Sequence, residues 1–439
     1  MVRGIVRPSG THDRTRLALL EVYGIALLSL ADMVTDIFMT LRYFESSETY
    51  SFAYATAACV SLNLGFQSLC TVIVNKNQRK SKLLKELAIV WCLMKPAVDT
   101  HRVVNKAEQK DALVVPQTEL TGSRTCEMLF ESVPSTVIQL LAIFAGNTST
   151  IAVFSLLVSI STSAFISAQM SYEWDTSEQE RKNNPRFFGY IPMNGVAKVK
   201  IAALLFLTST FNLVIRALSC VIFVQNGIGI AVFCAELLLY FFVKLARGDF
   251  LYWLPVYGAA GVIVAALERC VVKLTVDWIF LIQFRHPKEV GGVYWFFSLC
   301  LTIIMGVASA LAYKENENEE NTLEEGFVRT AMAGCCTGLV LSFGAFLISI
   351  KREYVWTFFD TNTSCTSIQE TFLKSDDDAA KFNIFNNSEV KWRWQIGDDV
   401  KDWFKERMNV WMEEVSEEGD VFYNDFRKSK VPKWVLDED

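Results

Sequence analysis

Long stretches without a charged side chain constrain this chain more than any other feature of its sequence. The segment Val290–Tyr313 contains no charged residue in 24 positions. A transmembrane helix requires about 20 mostly apolar residues to cross the hydrocarbon core of a bilayer. Several stretches of this kind occur in the chain, and 51% of its 439 residues are hydrophobic. The sequence therefore predicts an all-α polytopic membrane protein.

The apolar stretches and the charges between them predict about eight transmembrane helices. The predicted spans are Leu17–Leu41, Tyr50–Val74, Cys126–Ala145, Ile151–Met170, Ile201–Val224, Ile228–Leu245, Val290–Tyr313 and Ala331–Ile350. Five basic residues occur in the loop Asn75–Lys85, and basic loops of this kind face the cytosol. We therefore expect both termini to be cytosolic and the plasma membrane, rather than an internal membrane, to be the location. A ten-span interpretation keeps both termini inside as well and stays open.

Two further segments are apolar at one end and charged at the other. The first, Leu83–Val104, carries Lys95, Asp99 and Arg102 within eight residues. The second, Phe250–Leu267, is followed directly by a glutamate and an arginine. Charges this close together disfavour a helix that faces lipid. We expect both segments to be re-entrant or partly inserted helices.

Charge divides the chain into three regions. Residues 1–16 form a basic cytosolic N-terminal segment, and residues 17–350 form the helical transmembrane domain. Residues 351–439 form an acidic, Trp-rich cytosolic tail with 13 basic and 20 acidic residues. The rest of the chain has 29 basic and 28 acidic residues. Apolar residues recur at helical spacing over Asp398–Val415. This stripe predicts a helix that docks on the protein's own cytosolic face or binds a regulator.

Composition excludes several classes of function. A net charge of −6 argues against nucleic-acid binding. Eleven cysteines occur without the CxxC or Cys/His spacing of a zinc site, and only three histidines are present. No phosphate-binding P-loop is found, which argues against an ATP-driven pump. The sequence thus predicts no metal, no cofactor and no nucleotide-dependent activity.

Ionisable residues occur in the middle of predicted spans. Asp32 and Asp36 are four residues apart and therefore share one helix face. Glu131 precedes Pro134 by three residues, and Gln139 follows Glu131 by about two turns. A charge at the centre of a bilayer costs about 2.5–3.5 kcal/mol on insertion scales, so each needs a partner, water or a function. Two interpretations stay open: a buried polar cluster that joins helices, and a hydrophilic path.

Arg216 and Glu236 lie ten residues on either side of Asn226, where two predicted spans are joined. In an antiparallel hairpin both residues lie about 15 Å from the turn, at a rise of 1.5 Å per residue. This shared depth predicts an intramembrane ion pair. The expected role is structural, because pairing leaves neither charge alone in the membrane.

The last predicted span contains the motif Gly334-Cys-Cys-Thr-Gly338. Two glycines separated by three residues allow the backbones of neighbouring membrane helices to approach closely. The motif therefore predicts helix packing and carries no information about function.

Two of these motifs resemble the XK-related family of phospholipid scramblases. The segment Ala31–Phe38 is similar to the acidic motif in the first helix of that family. The segment Phe130–Leu140 is similar to its Glu-x-x-Pro-Gln-x-x-x-Gln helix, with Ser135 in place of the first glutamine. The resemblance covers roughly residues 20–175, and the acidic tail is unlike the tails of the family.

The resemblance implies passive, ATP-independent movement of phospholipids, without covalent catalysis. Lipid headgroups would move along an intramembrane path lined by Asp32, Asp36, Glu131 and Gln139.

An ion channel or secondary transporter could use the same carboxylates. A non-transporting scaffold or receptor is a further alternative. An intramembrane enzyme is disfavoured because paired catalytic aspartates usually lie on different helices. Expected partners are membrane phospholipids, with a second copy of the chain or a single-span protein left open.

Overall fold

The computed structural model describes most of the predicted membrane domain. The described residues are 16–76, 78–104, 116–147, 149–176, 188–191, 195–247, 259–282, 292–313 and 324–350. The predicted tail (351–439), nearly all of the N-terminal segment and residues 250–258 of the second predicted re-entrant segment lie outside them. Within the described ranges the chain is helical and contains no strand.

Twelve α-helices occur in the described residues. They are α1 (Arg16–Tyr43), α2 (Tyr50–Val74), α3 (Lys80–Trp91), α4 (Lys95–Val104), α5 (Pro116–Glu127), α6 (Val133–Phe144), α7 (Thr150–Thr176), α8 (Gly195–Gln225), α9 (Gly229–Arg247), α10 (Ala259–Trp278), α11 (Gly292–Ala312) and α12 (Glu325–Ser349). A π-helical segment, Met128–Ser132, joins α5 directly to α6. The predicted all-helical fold is confirmed.

Six of the described helical stretches are long and apolar enough to cross a membrane. They are Ser47–Val74, Glu119–Phe144, Thr150–Thr176, Ala197–Gln225, Tyr294–Ala312 and Glu325–Ser349. Each of them contains most or all of one predicted span. The other two predicted spans fall on α1 and α9, which are helical there. These helices indicate a multi-pass integral membrane protein.

The first predicted re-entrant segment forms two short helices. α3 has 12 residues and α4 has 10, so they extend about 18 and 15 Å. Neither length reaches the roughly 30 Å of the hydrocarbon core. Between them Leu93 has a φ of 62°, and the Met94 N–H binds the Ile89 carbonyl at 3.0 Å. Leucine thus occupies the left-handed position that glycine usually takes where a helix ends.

The second predicted re-entrant segment continues without a break into the charged residues that follow it. Residues 259–278 form the single helix α10, so Arg269 and Lys273 belong to the same helix as the apolar part. Both of these basic side chains are buried. The Lys273 ammonium lies over the ring of Tyr294, 5.7 Å from its centre, where the face of the ring attracts a cation.

Contacts within the chain define two compact units. The first contains the described residues up to Gly229, those between Asp277 and Gln283 and those from Ser298 onward. It holds α1 to α8 and α12. The second unit contains nearly all of α9, most of α10 and the start of α11. All residues of the site described below belong to the first unit.

One glycine of the predicted GxxxG motif lies at a close contact between α8 and α12. A Cβ atom added at Gly338 would lie 2.5 Å from Cζ of Phe211, whereas one added at Gly334 would meet nothing within 4 Å. Near the same contact the hydroxyls of Thr208 and Ser342 are 3.0 Å apart. Close packing therefore requires glycine only at position 338.

We expect Gly338→Val to destabilise the protein by about 1–3 kcal/mol, because the larger side chain overpacks the contact with Phe211. The matched control, Gly334→Val, adds the same side chain to the same helix in open space. Thermal unfolding in detergent should show a lower melting temperature for the first variant only. Equal melting temperatures would contradict the proposed tight contact.

Candidate functional site

A hydrophilic residue occupies every fourth position along one buried face of α5, the π-helical segment and α6. These residues are Glu119, Ser123, Glu127, Glu131, Ser135 and Gln139, none more than 8% exposed. The stripe extends about 30 Å at 1.5 Å per residue, which is the thickness of the hydrocarbon core. In a regular α-helix, each residue of such a series points about 40° away, around the helix axis, from the residue four positions earlier. The wider turns between Met128 and Ser132 reduce this angle near Glu131.

The π-helical segment has a local cause in the sequence. Pro134 has no N–H and its ring would clash with the preceding turn of a regular α-helix. The chain forms the wider turn just before this proline, where the Val133 N–H binds the Met128 carbonyl. Pro134 is thus directly preceded by a π-helical segment, and this segment contains Glu131.

Two aspartates of α1 face this stripe and are held by neutral donors. The carboxylate of Asp32 accepts hydrogen bonds from the hydroxyls of Ser132 and Ser159, each at 2.6 Å. The carboxylate of Asp36 accepts one from Nε2 of Gln139 at 2.8 Å. Both aspartates are at most 1% exposed. The structure therefore brings Asp32 and Asp36 of α1 together with Gln139 of α6, and Ser159 of α7 joins them.

Glu131 is bound from α2 rather than from α1. Its carboxylate accepts a hydrogen bond from Nδ2 of Asn63, and Oδ1 of Asn63 accepts one from Nε2 of Gln67 at 2.9 Å. One turn away, Glu127 accepts a hydrogen bond from the hydroxyl of Ser29 on α1. Helices α1, α2, α5–α6 and α7 thus share a set of buried polar side chains, which we call the polar column. Its members are Ser29, Asp32, Asp36, Asn63, Gln67, Glu127, Glu131, Ser132, Ser135, Gln139, Ser155 and Ser159.

Three carboxylates of the polar column lack an ion-pair partner among the described residues. Within the described part of the chain, no basic side chain forms an ion pair with Asp32, Asp36 or Glu131. One oxygen each of Asp36 and Glu131 has no hydrogen-bond partner there. Arg124, one turn from Glu127, donates to Oε1 of Gln169 at 2.7 Å. Unpaired charges are costly in a buried environment, so this arrangement calls for protons, water, cations or cationic headgroups.

An apolar layer closes one end of the polar column. It lies one turn beyond Asp36 and Gln139, where α1, α2, α6 and α7 meet. Its members are completely buried and are Met39, Tyr43, Ala53, Ala142 and Ala152. The Tyr43 ring packs against Phe52, with ring centres 5.9 Å apart. Three alanines in one layer allow the helix backbones to approach closely, so this end of the column is packed mainly by apolar side chains.

A network of ion pairs lies at the other end of the stripe. Lys95 forms ion pairs with Glu119, with Asp99 at 3.1 Å and with Glu86 at 3.7 Å. Arg102 forms ion pairs with Glu86 at 2.5 Å and with Asp99 at 3.1 Å. We call these five residues the charge cluster. They join α3, α4 and α5, so the three charged residues predicted in the re-entrant segment do lie together.

Burial and ion pairing act in opposite directions on the carboxyls of the charge cluster. Burial raises the pKa of Asp99 to about 6, despite the attraction of Lys95. Burial also disfavours the charge of Glu86, but Arg102 and Lys95 outweigh it and lower the pKa. Glu86 therefore stabilises the fold at neutral pH and loses this effect as pH falls through its folded pKa. Protonated Asp99 stabilises the fold at low pH, an effect lost as pH rises through about 6.

The predicted partner of Arg216 is not tested by the described contacts, but another partner is found. Arg216 lies 3.7 Å from the carboxylate of Asp277 and donates to Thr302 at 2.7 Å and to Ser298 at 3.2 Å. The pairing of Arg216 with Glu236 stays a prediction. Asp277 was not anticipated, because a depth argument within one hairpin cannot find a partner from a distant helix.

We expect Lys95→Met to lower the free energy of unfolding by about 3–5 kcal/mol, since it leaves three buried carboxyls without their shared cation. The control is Arg329→Met, which breaks the exposed ion pair between Arg329 and Glu325. Exposed pairs contribute about 0–1 kcal/mol. Denaturation in detergent measures both variants, and a loss no larger than that of the control would contradict a structural role for Lys95.

We expect Ser132→Ala and Ser159→Ala each to cost about 1–3 kcal/mol, because each leaves an oxygen of Asp32 without its donor. Thr337→Ala is the control, since this exposed hydroxyl only bonds the carbonyl one turn earlier. Surface changes of that kind stay within about 0.5 kcal/mol. Unfolding by denaturant compares the three variants, and a neutral effect at both serines would show that Asp32 does not depend on them.

Comparison with protein-family models and with curated proteins finds no match for this chain. The resemblance to the XK-related family over residues 20–175 therefore stays an expectation based on two motifs. A function for this protein has to be inferred from the polar column, the apolar layer and the charge cluster.

Proposed function

We propose that this protein is a passive phospholipid scramblase of the XK-related kind. The observation that supports the proposal is the stripe of buried hydrophilic residues from Glu119 to Gln139, which contains the α5–α6 part of the polar column. It extends about 30 Å, the thickness of a bilayer core. Asp32, Asp36 and Glu131 would attract the ammonium of choline or ethanolamine headgroups. The acyl chains would stay in lipid, so the movement needs no ATP and no covalent step.

The proposed topology has eight transmembrane helices and two re-entrant or partly inserted helices, with both termini in the cytosol. In this arrangement the charge cluster lies at the cytosolic end of the polar column and the apolar layer at the outer end. The protein would act in the plasma membrane. The acidic tail would dock on the cytosolic face or bind a regulator.

The burial of the polar column supports a protein whose activity is controlled. Asp32, Asp36, Glu131 and Gln139 are at most 1% exposed, and the apolar layer closes one end of the column. A headgroup could enter only if helices around the column separate. We therefore propose that the conformation described here is the closed one.

The departure from the family motif at Ser135 is compatible with this proposal. Its hydroxyl lies 3.0 Å from Nε2 of Gln139, which also donates to Asp36. Serine thus keeps a hydrophilic group at this position of the column, although it is shorter than the glutamine that the family usually has.

Cation or proton transport is the second candidate function. The observation in its favour is that buried oxygens of Asp36 and Glu131 lack a hydrogen-bond partner among the described residues. A proton or a small cation fits such a site with less helix movement than a lipid headgroup requires. Ionisable residues inside membranes commonly relay protons or bind transported ions.

The test is scrambling by the full-length protein in liposomes that contain fluorescent phosphatidylcholine. Dithionite bleaches the outer leaflet only, so scrambling carries the loss of signal beyond about half. We expect Asp32→Asn and Glu131→Gln to slow this excess loss at least about tenfold, roughly 1.4 kcal/mol. Glu325→Gln, at a partly exposed site in the first turn of α12 and outside the polar column, is the control and should leave the rate unchanged.

Two outcomes of the same experiment would redirect the assignment. A loss limited to the outer leaflet in the unaltered protein would contradict scrambling by the chain alone. Cation or proton flux into such vesicles, abolished by Asp36→Asn and retained by Glu325→Gln, would favour the second candidate function.

A further inference from the structure

Three side-chain contacts define how α2 packs against α5 and the π-helical segment. Asn63 contacts Glu131, and the rings of Phe66 and Phe130 stack with centres 4.1 Å apart. The third contact is between Cys70 and Cys126, whose thiols lie at the same level of the two helices and close enough to interact. Residue numbers rise along α2 as they fall along α5, so the two helices are antiparallel here. The thiol contact thus follows from the packing of the whole helix pair.

The two cysteines differ in accessibility. Cys70 is exposed and Cys126 is partly buried, and neither forms a disulfide in this structure. Cys70 lies four residues, or about 6 Å, before the end of α2 at Val74. An accessible thiol with a second thiol close beside it is the arrangement found in redox-sensitive cysteine pairs.

We propose that Cys70 and Cys126 are a redox-active pair that closes to a disulfide between α2 and α5 when a hydroperoxide is the oxidant. The Cys70 sulfur attacks hydrogen peroxide, the O–O bond breaks, and a sulfenic acid and one water form. The Cys126 sulfur then attacks the Cys70 sulfur, the S–O bond breaks, and a second water leaves. Two thiols are oxidised and one peroxide is reduced to two waters.

The disulfide would fix the helix pair next to the polar column. Cys126 directly precedes Glu127, and Cys70 lies within one turn of Gln67, which supports Asn63. A covalent bond at this point would prevent α2 from separating from α5. The inference concerns the thiols themselves and does not depend on whether the protein moves lipids.

The experiment oxidises the full-length protein in detergent with hydrogen peroxide, blocks the remaining thiols with iodoacetamide and analyses the digest by mass spectrometry. We expect a cross-linked peptide that joins Cys70 to Cys126 and disappears on treatment with dithiothreitol. Cys59→Ser is the matched control, because Cys59 lies on the same helix and serine there should leave the cross-link intact. Cys70→Ser and Cys126→Ser should each abolish it.

A second readout uses the unaltered protein and so avoids any folding defect of the variants. Oxidation should raise the melting temperature by several degrees, since a cross-link between α2 and α5 restricts the unfolded chain, and dithiothreitol should reverse the rise. Alkylation of both Cys70 and Cys126 after oxidation would overturn the proposal. A cross-link from either cysteine to a different thiol would overturn it equally.

Discussion

The burial of carboxyl groups inside a helical membrane domain is the constraint on which the rest of the structure depends. Asp32, Asp36 and Glu131 are buried, and their hydrogen-bond donors come from α2, α6, α7 and the π-helical segment. A donor that moved away would leave a buried acceptor unpaired, which costs about 1–3 kcal/mol or more for a charged group. The positions of four helices are therefore coupled through a few side chains.

Much of the helical pattern could be predicted from the sequence, because apolar length is a direct physical requirement of crossing a bilayer. Six predicted spans coincide with helices that are long and apolar enough. The four-residue spacing of Asp32 and Asp36 also correctly placed them on one face. Glu127 was overlooked because it lies beside the predicted start of a span, where a charge needs no explanation.

The polar residues of α2 and α7 could not be identified in the same way. Asn63, Ser155 and Ser159 are compatible with an apolar span and leave its mean hydropathy high, so no boundary or charge draws attention to them. Their repeat at four-residue intervals was the available signal, since Asn63 and Gln67 share a face, as do Ser155 and Ser159. The rotation of each helix about its own axis determines which side chains of neighbouring helices contact each other. That rotation depends on tertiary packing.

The polar column has a consequence for the way the protein is made. A helix with Glu119, Glu127 and Glu131 on one face gains little by entering lipid alone, because each carboxyl would lack its donor from another helix. Stable insertion of this helix therefore requires α1 and α2 to be present beside it, and α7, which is synthesised afterwards, to complete the set. The helices in the first half of the chain should thus integrate into the membrane together rather than one at a time. A defect in any one of these helices should appear as failed biogenesis before it appears as lost activity.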